Sequence, residues 1–66
     1  MARMTLAAAR INKGYTQAIA AEKLEVSVST LKNWEKGSHF PRQPQIKKLC
    51  DVYELVYDDL IFCPYD

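Results

Sequence analysis

Residues 16–37 read Thr-Gln-Ala-Ile-Ala-Ala-Glu-Lys-Leu-Glu-Val-Ser-Val-Ser-Thr-Leu-Lys-Asn-Trp-Glu-Lys-Gly. Thr16 can cap a helix over residues 17–24, and Ser27 can cap a second helix over residues 28–36, which Gly37 ends. The connection between the two helices is so short that it leaves room for only one tight turn. The stretch therefore predicts two short helices that cross nearly at right angles, which is a helix-turn-helix.

The remainder of the chain is consistent with one small helical domain. A chain of 66 residues supports a single domain, and it buries only about 60% of its unfolded surface. Apolar residues recur at spacings of three and four and never alternate over a useful length, so helices are expected and strands are not. The sequence thus predicts one all-α domain over residues 1–66.

Cap and stop signals divide this domain into five predicted helices. They cover residues 6–12, 17–24, 28–36, 44 to about 54 or 55, and 57–62. Thr5 can cap the first helix, and Gly14 can end it in the left-handed conformation. Pro44 suits the first turn of the fourth helix, where its missing N–H costs nothing. Asp58 and Asp59 suit the first turn of the fifth helix, where they complement the helix dipole.

Charge is divided along the chain although the net charge is only +1. Residues 1–48 hold all nine Lys and Arg against three Glu, a net charge of +6, whereas residues 49–66 hold five acids and no base, a net charge of −5. A molecule polarised in this way can turn a positive face towards phosphates while its acidic end points away. The alternative is a chance segregation of charges on a solvated surface.

The third predicted helix has one polar side and one apolar side. An arc of about 140° holds Val28, Ser29, Lys32, Asn33 and Lys36. Thr30, Leu31 and Trp34 lie on the opposite side, which can dock on the rest of the domain. Asn can bond adenine, Ser can bond base edges, Val can pack on a thymine methyl, and Lys can bind guanine or phosphate. The polar side therefore suits a DNA major groove, although any surface helix can carry such residues on its solvated face.

The second predicted helix has two features that are expected beside a DNA-reading helix. Ala21 is small enough for two crossing helices to approach closely. Thr16 and Gln17 lie at the amino end, where free backbone N–H groups can bind a phosphate. Capping alone explains Thr16 equally well, but Gln17 is not needed for capping.

Three sequence motifs follow one another along the chain: Arg10-Ile-Asn-Lys-Gly-Tyr-Thr-Gln, Ala-Ala-Glu-Lys-Leu-Glu-Val-Ser and Ser-Thr-Leu-Lys-Asn-Trp-Glu-Lys-Gly. Pro41 comes after the third motif. Together they resemble the Cro/CI-type (lambda-repressor-like, Xre-type) helix-turn-helix family of phage repressors and small bacterial regulators. The resemblance covers nearly the whole chain. It implies a compact five-helix lambda-repressor-like domain, which usually binds operator DNA as a dimer with the third helix in the major groove.

The resemblance also implies roles for individual residues. The residues matched to base-reading positions are Val28, Ser29 and Asn33, with Lys32 beside them. The residues matched to positions near DNA phosphates are Gln17, Thr30, Lys36 and Arg42. Arg10 and Glu35 match a pair that joins the first helix to the end of the third, and a bidentate ion pair there would orient the reading helix.

Three residues depart from the family pattern. Glu25 and Glu54 stand where the family commonly has glycine, so either each turn adopts another shape or the residue takes a positive φ that costs a non-glycine residue energy. Ala20 replaces a bulkier leucine, and Ile19 beside it is expected to be partly exposed.

No enzymatic chemistry is expected, because no nucleophile, base and orienting group can be assembled. His39, Cys50 and Cys63 lack the paired spacing of a zinc site, so neither a metal nor a cofactor is expected. With no signal peptide and no apolar run of membrane-spanning length, the sequence predicts a cytoplasmic protein with free thiols.

Two functions are compatible with the residues. The favoured one is a sequence-specific double-stranded DNA-binding transcriptional regulator, of phage or mobile-element type, that acts as a repressor and binds an inverted-repeat operator as a homodimer. The other is a protein-interaction module, such as an antitoxin or antirepressor, that binds a protein partner through its apolar and acidic carboxy-terminal end.

Overall fold

The computed structural model describes residues 3–61. Its elements are β1 (Met4–Thr5), α1 (Leu6–Asn12), α2 (Gln17–Leu24), α3 (Val28–Lys36), α4 (Gln43–Tyr53), a 3-10 turn (Tyr57–Asp59) and β2 (Leu60–Ile61). The predicted bounds of the first three helices are confirmed to the residue. The fourth begins one residue earlier than predicted, with Pro44 in its first turn.

The predicted caps explain why these helices begin and end where they do. Thr5, Thr16 and Ser27 each accept a hydrogen bond of 3.1 Å from the backbone N–H three residues further on. Each bond satisfies one of the N–H groups that a helix leaves free at its amino end. Gly14 (φ 79°) and Gly37 (φ 83°) follow α1 and α3 in the left-handed conformation that glycine adopts at low cost.

The predicted fifth helix is wrong, whereas the mostly helical character of the domain is confirmed. Tyr57–Asp59 form only a 3-10 turn, and Leu60–Ile61 form a strand parallel to Met4–Thr5. Leu60 lies opposite Met4, so the backbone groups of this segment find their partners more than fifty residues away. A local pattern cannot show such a partner, whereas the tertiary fold supplies it. The described residues thus form four α-helices and a two-stranded sheet, and Phe62 lies outside them.

The core is formed where α1, α2, α3 and α4 meet. Its buried residues are Leu6, Ala9, Ala20, Ala21, Leu24, Leu31, Trp34, Leu49, Tyr53 and Leu60. Ala20 and Ala21 are 0% and 2% exposed. Because their side chains are small, the backbone of α2 can lie close to the neighbouring helices. Ile19 stays 43% exposed, as the sequence predicts. The small residues of α2 therefore allow a close approach of α2 to the rest of the domain.

Glu25 and Glu54 do adopt the left-handed conformation, with φ of 61° and 56°. Each is also an ion-pair partner: Lys48 Nζ lies 2.6 Å from Glu25 Oε1, and Lys13 Nζ lies 2.7 Å from Glu54 Oε2. The hydrogen bond from the lysine lowers the pKa of each carboxyl. Because Lys13 belongs to the basic part of the sequence and Glu54 to the acidic part, the two charge blocks are not fully separated in the fold.

Glycine at either position should stabilise the domain. Glu25→Gly and Glu54→Gly each remove the strain of a left-handed non-glycine residue, whereas the exposed ion pair that they lose contributes little. We expect the melting temperature of each glycine variant, measured by circular dichroism, to lie about 3 °C above that of the wild-type protein. Glu25→Gln is the matched control, since it removes the ion pair and keeps the strain. A fall in melting temperature with glycine would show that the ion pair matters more than the backbone.

Tyr53 places a polar group in the core of the domain. Its side chain is 2% exposed, and its hydroxyl has no hydrogen-bond partner among the described residues. Burial, followed by the negative charge of Glu35, raises its pKa to about 12. The hydroxyl is thus held in its neutral form without compensation for its lost hydration.

Tyr53→Phe should therefore not destabilise the domain. Removing a buried hydroxyl that lacks a partner avoids its desolvation penalty and keeps the packing of the ring, so we expect the free energy of unfolding to rise by about 1 kcal/mol. Urea denaturation measures this difference. A loss of about 1 kcal/mol would instead show that the hydroxyl is hydrogen-bonded in solution.

Candidate nucleic-acid interface

The two sides of α3 are separated as the sequence predicts. Leu31 and Trp34 are 0% and 4% exposed and dock the helix on the core. Four residues of the predicted polar arc are exposed: Val28, Ser29, Lys32 and Lys36. Asn33, the fifth residue of the arc, is half-buried, and so is Thr30 on the opposite side. The helix therefore presents short polar groups, one valine and two cations on the side away from the core.

The outward side of α3 is positively charged. Glu35 is the one acid of the helix, and its side chain is only 8% exposed because it turns towards the core. Lys32 and Lys36 have no ion-pair partner among residues 3–61. Since the only negative charge is turned inward and paired, the exposed side of α3 attracts anions.

Glu35 joins α3 to the two preceding helices. Its Oε2 lies 2.8 Å from Arg10 Nε of α1, and its Oε1 accepts a hydrogen bond of 3.1 Å from Gln17 Nε2 of α2. The Arg10 side chain is 14% exposed, so the ion pair is largely shielded from water. Both carboxylate oxygens are thus occupied, which compensates for the burial of the charge.

The ion pair between Arg10 and Glu35 is not the bidentate pair that the resemblance implies. Only Nε donates to Glu35, and Nη1 donates to the carbonyl of Tyr15 over 3.0 Å. Tyr15 lies in the turn between α1 and α2, so the same side chain that pairs with α3 also fixes this turn. The planar fork of arginine makes both contacts possible at once.

Gln17 makes a contact that its sequence position does not reveal. The resemblance implies that Gln17 contacts a DNA phosphate, yet one N–H of its amide donates to Glu35. An amide nitrogen carries two N–H groups, so the second one is available for another acceptor. The phosphate role of Gln17 stays a prediction, and Glu35 now fixes which way the amide points.

Three other residues assigned to phosphates differ in how free their side chains are. Thr16 is exposed but uses its hydroxyl oxygen as the cap of α2. Thr30 Oγ1 shares a hydrogen bond of 2.9 Å with Ser27 Oγ. Arg42 is exposed at the start of α4, and its backbone N–H donates to Gln45 Oε1 over 2.8 Å. The charged side chain of Arg42 is therefore the least constrained of the three.

The loop after α3 is attached to that helix. The carbonyl of Asn33 accepts backbone N–H groups from Ser38 (3.0 Å) and His39 (3.4 Å). Pro41 is buried, which anchors the other end of the loop. Thr30, Asn33, Trp34 and His39 line an open cleft of about 290 Å³ beside the polar side of α3. The fold thus places His39 beside Asn33, which its sequence position does not reveal.

The part of the chain that the structure describes contains neither a metal-binding cluster nor a membrane-spanning helix. No three His, Cys, Asp or Glu side chains within residues 3–61 lie close enough together to hold a metal ion. In the same part of the chain, no helix has the length and apolar character that crossing a membrane requires.

The fold and this site define a small DNA-binding type of domain, in which α2 and the outward-facing α3 form a helix-turn-helix. The sequence pattern of the family described as "Helix-turn-helix domain" matches residues 3–61, nearly the whole chain. The protein therefore belongs to the helix-turn-helix domain family, which indicates a DNA-binding regulator. Comparison with curated proteins and with solved structures finds no match.

Arg10→Ala should strongly destabilise the domain. The substitution leaves the carboxylate of Glu35 largely buried with only Gln17 as a partner, and it frees the Tyr15 carbonyl. We expect a loss of about 2–3 kcal/mol in the free energy of unfolding and a melting temperature lower by about 10–20 °C. Arg3→Ala is the control, because Arg3 is exposed and should have little effect. An unchanged melting curve for Arg10→Ala would show that the ion pair does not hold the fold.

Proposed function

We propose that this protein is a sequence-specific transcriptional regulator of the Cro/CI type that binds double-stranded DNA through α3. The observation that supports the proposal most directly is the outward side of α3, which is polar and cationic while Glu35 and the apolar residues face the core. A major groove admits such a helix, and its phosphates attract the exposed cations. The regulator is proposed to act in the cytoplasm.

Reading of base edges is proposed for four residues of α3. Ser29 and Asn33 supply polar groups of the right length for base edges, and Asn33 is suited to adenine. Val28 is 36% exposed at the start of the helix, where it can pack on a thymine methyl. Lys32 is exposed beside them and can bind guanine. None of the four takes part in the ion pairs that hold the fold.

Contacts with phosphates are proposed on both sides of these residues. Gln17 lies before them at the start of α2, Lys36 lies at the end of α3, and Arg42 follows the attached loop. Thr16 and Thr30 add hydroxyl groups near the two helix starts. Such contacts position a reading helix on the duplex but carry no sequence information themselves.

A homodimer on an inverted repeat completes the proposal. A single helix of this size reads only a few base pairs, and a two-fold dimer doubles the site. Two reading helices about 34 Å apart would meet successive turns of one face of the DNA. A dimer that covers a promoter in this way would act as a repressor of the phage or mobile-element type.

Asn33→Ala and Lys36→Ala should have different effects on DNA binding. Asn33→Ala should weaken binding to the preferred site by about 1–3 kcal/mol and leave binding to unrelated DNA unchanged, because it removes a base contact. Lys36→Ala should weaken binding to all sequences and lower the slope of log K against log salt by about 1. The measurement is fluorescence anisotropy at several salt concentrations on a site selected by the wild-type protein from random duplex DNA.

Lys23→Ala is the matched control for the lost charge, because Lys23 lies over the ring of Tyr15 and has no proposed DNA contact. Equal weakening by Asn33→Ala on all sequences would show that this residue does not read bases. If the wild-type protein selected no sequence at all, the proposal of a sequence-specific regulator would be wrong.

A further inference from the structure

An open cleft lies between α3 and the loop that follows it. The cleft has a volume of about 290 Å³ and is lined by Thr30, Asn33, Trp34 and His39. We propose that it binds one backbone phosphate of DNA, with the indole N–H of Trp34 and the protonated imidazole of His39 as donors. The site rests on the proposed DNA binding by α3, and it makes the affinity for DNA depend on pH.

The indole N–H of Trp34 has no acceptor among the described residues. The side chain is 4% exposed, and its N–H makes no hydrogen bond to any of residues 3–61. The nitrogen still reaches solvent, because the one fully buried side-chain atom without a partner in this part of the chain is the hydroxyl of Tyr53. A tryptophan N–H usually finds a partner when the ring is buried. An acceptor that enters the cleft from outside would satisfy this donor.

His39 is held on the loop side of the same cleft. The backbone N–H groups of Ser38 and His39 donate to the carbonyl of Asn33, and Pro41 is buried. Both ends of the loop are therefore fixed, while His39 itself stays exposed. Because His39 and Trp34 line one cleft, a phosphate in it can contact both side chains.

The charges around the cleft favour an anion. Among residues 3–61, no carboxylate lines the cleft, and His39 is its one titratable group. Besides His39, the charged residues between the start of α3 and the start of α4 are Lys32, Glu35, Lys36 and Arg42. The three cations are exposed, whereas the side chain of Glu35 is only 8% exposed and pairs with Arg10. A phosphate in the cleft therefore meets a positively charged surface.

Phosphate binding couples to the protonation of His39. Histidine gains its positive charge as the pH falls from about 8 to about 5. A hydrogen bond from a charged imidazole to a phosphate oxygen is stronger than one from a neutral imidazole. The bound phosphate thus favours the protonated form, so the affinity for DNA should rise as the pH falls. His39 is the only histidine of the chain, so one residue accounts for the effect.

The pH dependence of DNA binding tests the contact of His39. Fluorescence anisotropy with a duplex of arbitrary sequence should give a dissociation constant about tenfold lower at about pH 5.5 than at about pH 8. The slope of log K against log salt should be steeper by about 1 at the lower pH. His39→Gln removes the charge and should bind equally at both pH values.

Two lysine variants separate the position of the charge from its presence. His39→Lys carries the charge at both pH values, so it should bind at about pH 8 nearly as tightly as the wild-type protein does at about pH 5.5. Asn12→Lys is the matched control, because it adds the same charge at an exposed position of α1. It should keep the wild-type pH dependence.

The contact of Trp34 has a measurement of its own. Trp34 is the single tryptophan of the chain, so its indole N–H gives one signal in a proton–nitrogen correlation NMR spectrum. This signal should move downfield on addition of DNA, because the proton enters a hydrogen bond. Trp34→Phe keeps an aromatic ring and removes the donor, so it should weaken binding about tenfold at both pH values. The NMR measurement uses the wild-type chain and does not depend on the folding of this variant.

The contradicting outcomes are distinct. Equal binding of the wild-type protein at both pH values, or an unchanged pH dependence in His39→Gln, would overturn the contact of His39. A Trp34 signal that stays in place at saturating DNA would overturn its role as a donor. Phosphates carry no sequence information, so these measurements do not require a preferred site. A protein that showed this pH dependence but selected no sequence would overturn only the proposed sequence-specific function.

Discussion

The carboxylate of Glu35 is the point on which the arrangement of the first three helices depends. It accepts one bond from Arg10 of α1 and another from Gln17 of α2, while it belongs to α3 itself. A charge so little exposed would be costly without partners, so the three helices are stable together in this geometry and less stable apart. Arg10 extends the constraint to the first turn through the carbonyl of Tyr15.

The orientation of α3 follows from the same constraint. Leu31, Trp34 and Glu35 must face the core, so the residues of the polar arc must face solvent. The exposure of the proposed reading surface is therefore a consequence of packing and pairing on the opposite side of α3. Gln17 links this constraint to the proposed site, because one N–H of its amide contacts Glu35 and the other is available for the proposed phosphate contact. The attachment of the following loop to the Asn33 carbonyl places it in a defined position beside the same surface.

The fold also carries strain away from the reading surface. Glu25 and Glu54 end α2 and α4 in a conformation that glycine would adopt more easily, and each is held by a lysine from a distant part of the chain. The hydroxyl of Tyr53 is buried without a partner among the described residues. These costs are small beside the burial of the core, and none of them involves a residue proposed to contact DNA.

Short-range chemistry in the sequence was sufficient to determine the helix-turn-helix. The caps Thr5, Thr16 and Ser27, the helix-ending glycines Gly14 and Gly37 and the two-sided pattern of α3 act over a few residues, and each was predictable. Tertiary structure decided the β1–β2 pairing that replaced a fifth helix and the contact of Gln17 with Glu35. It also decided the lysine partners of both left-handed glutamates. The physical reason is that a hydrogen bond or ion pair between distant residues depends on which helix faces pack together. Local periodicity does not specify which faces these are.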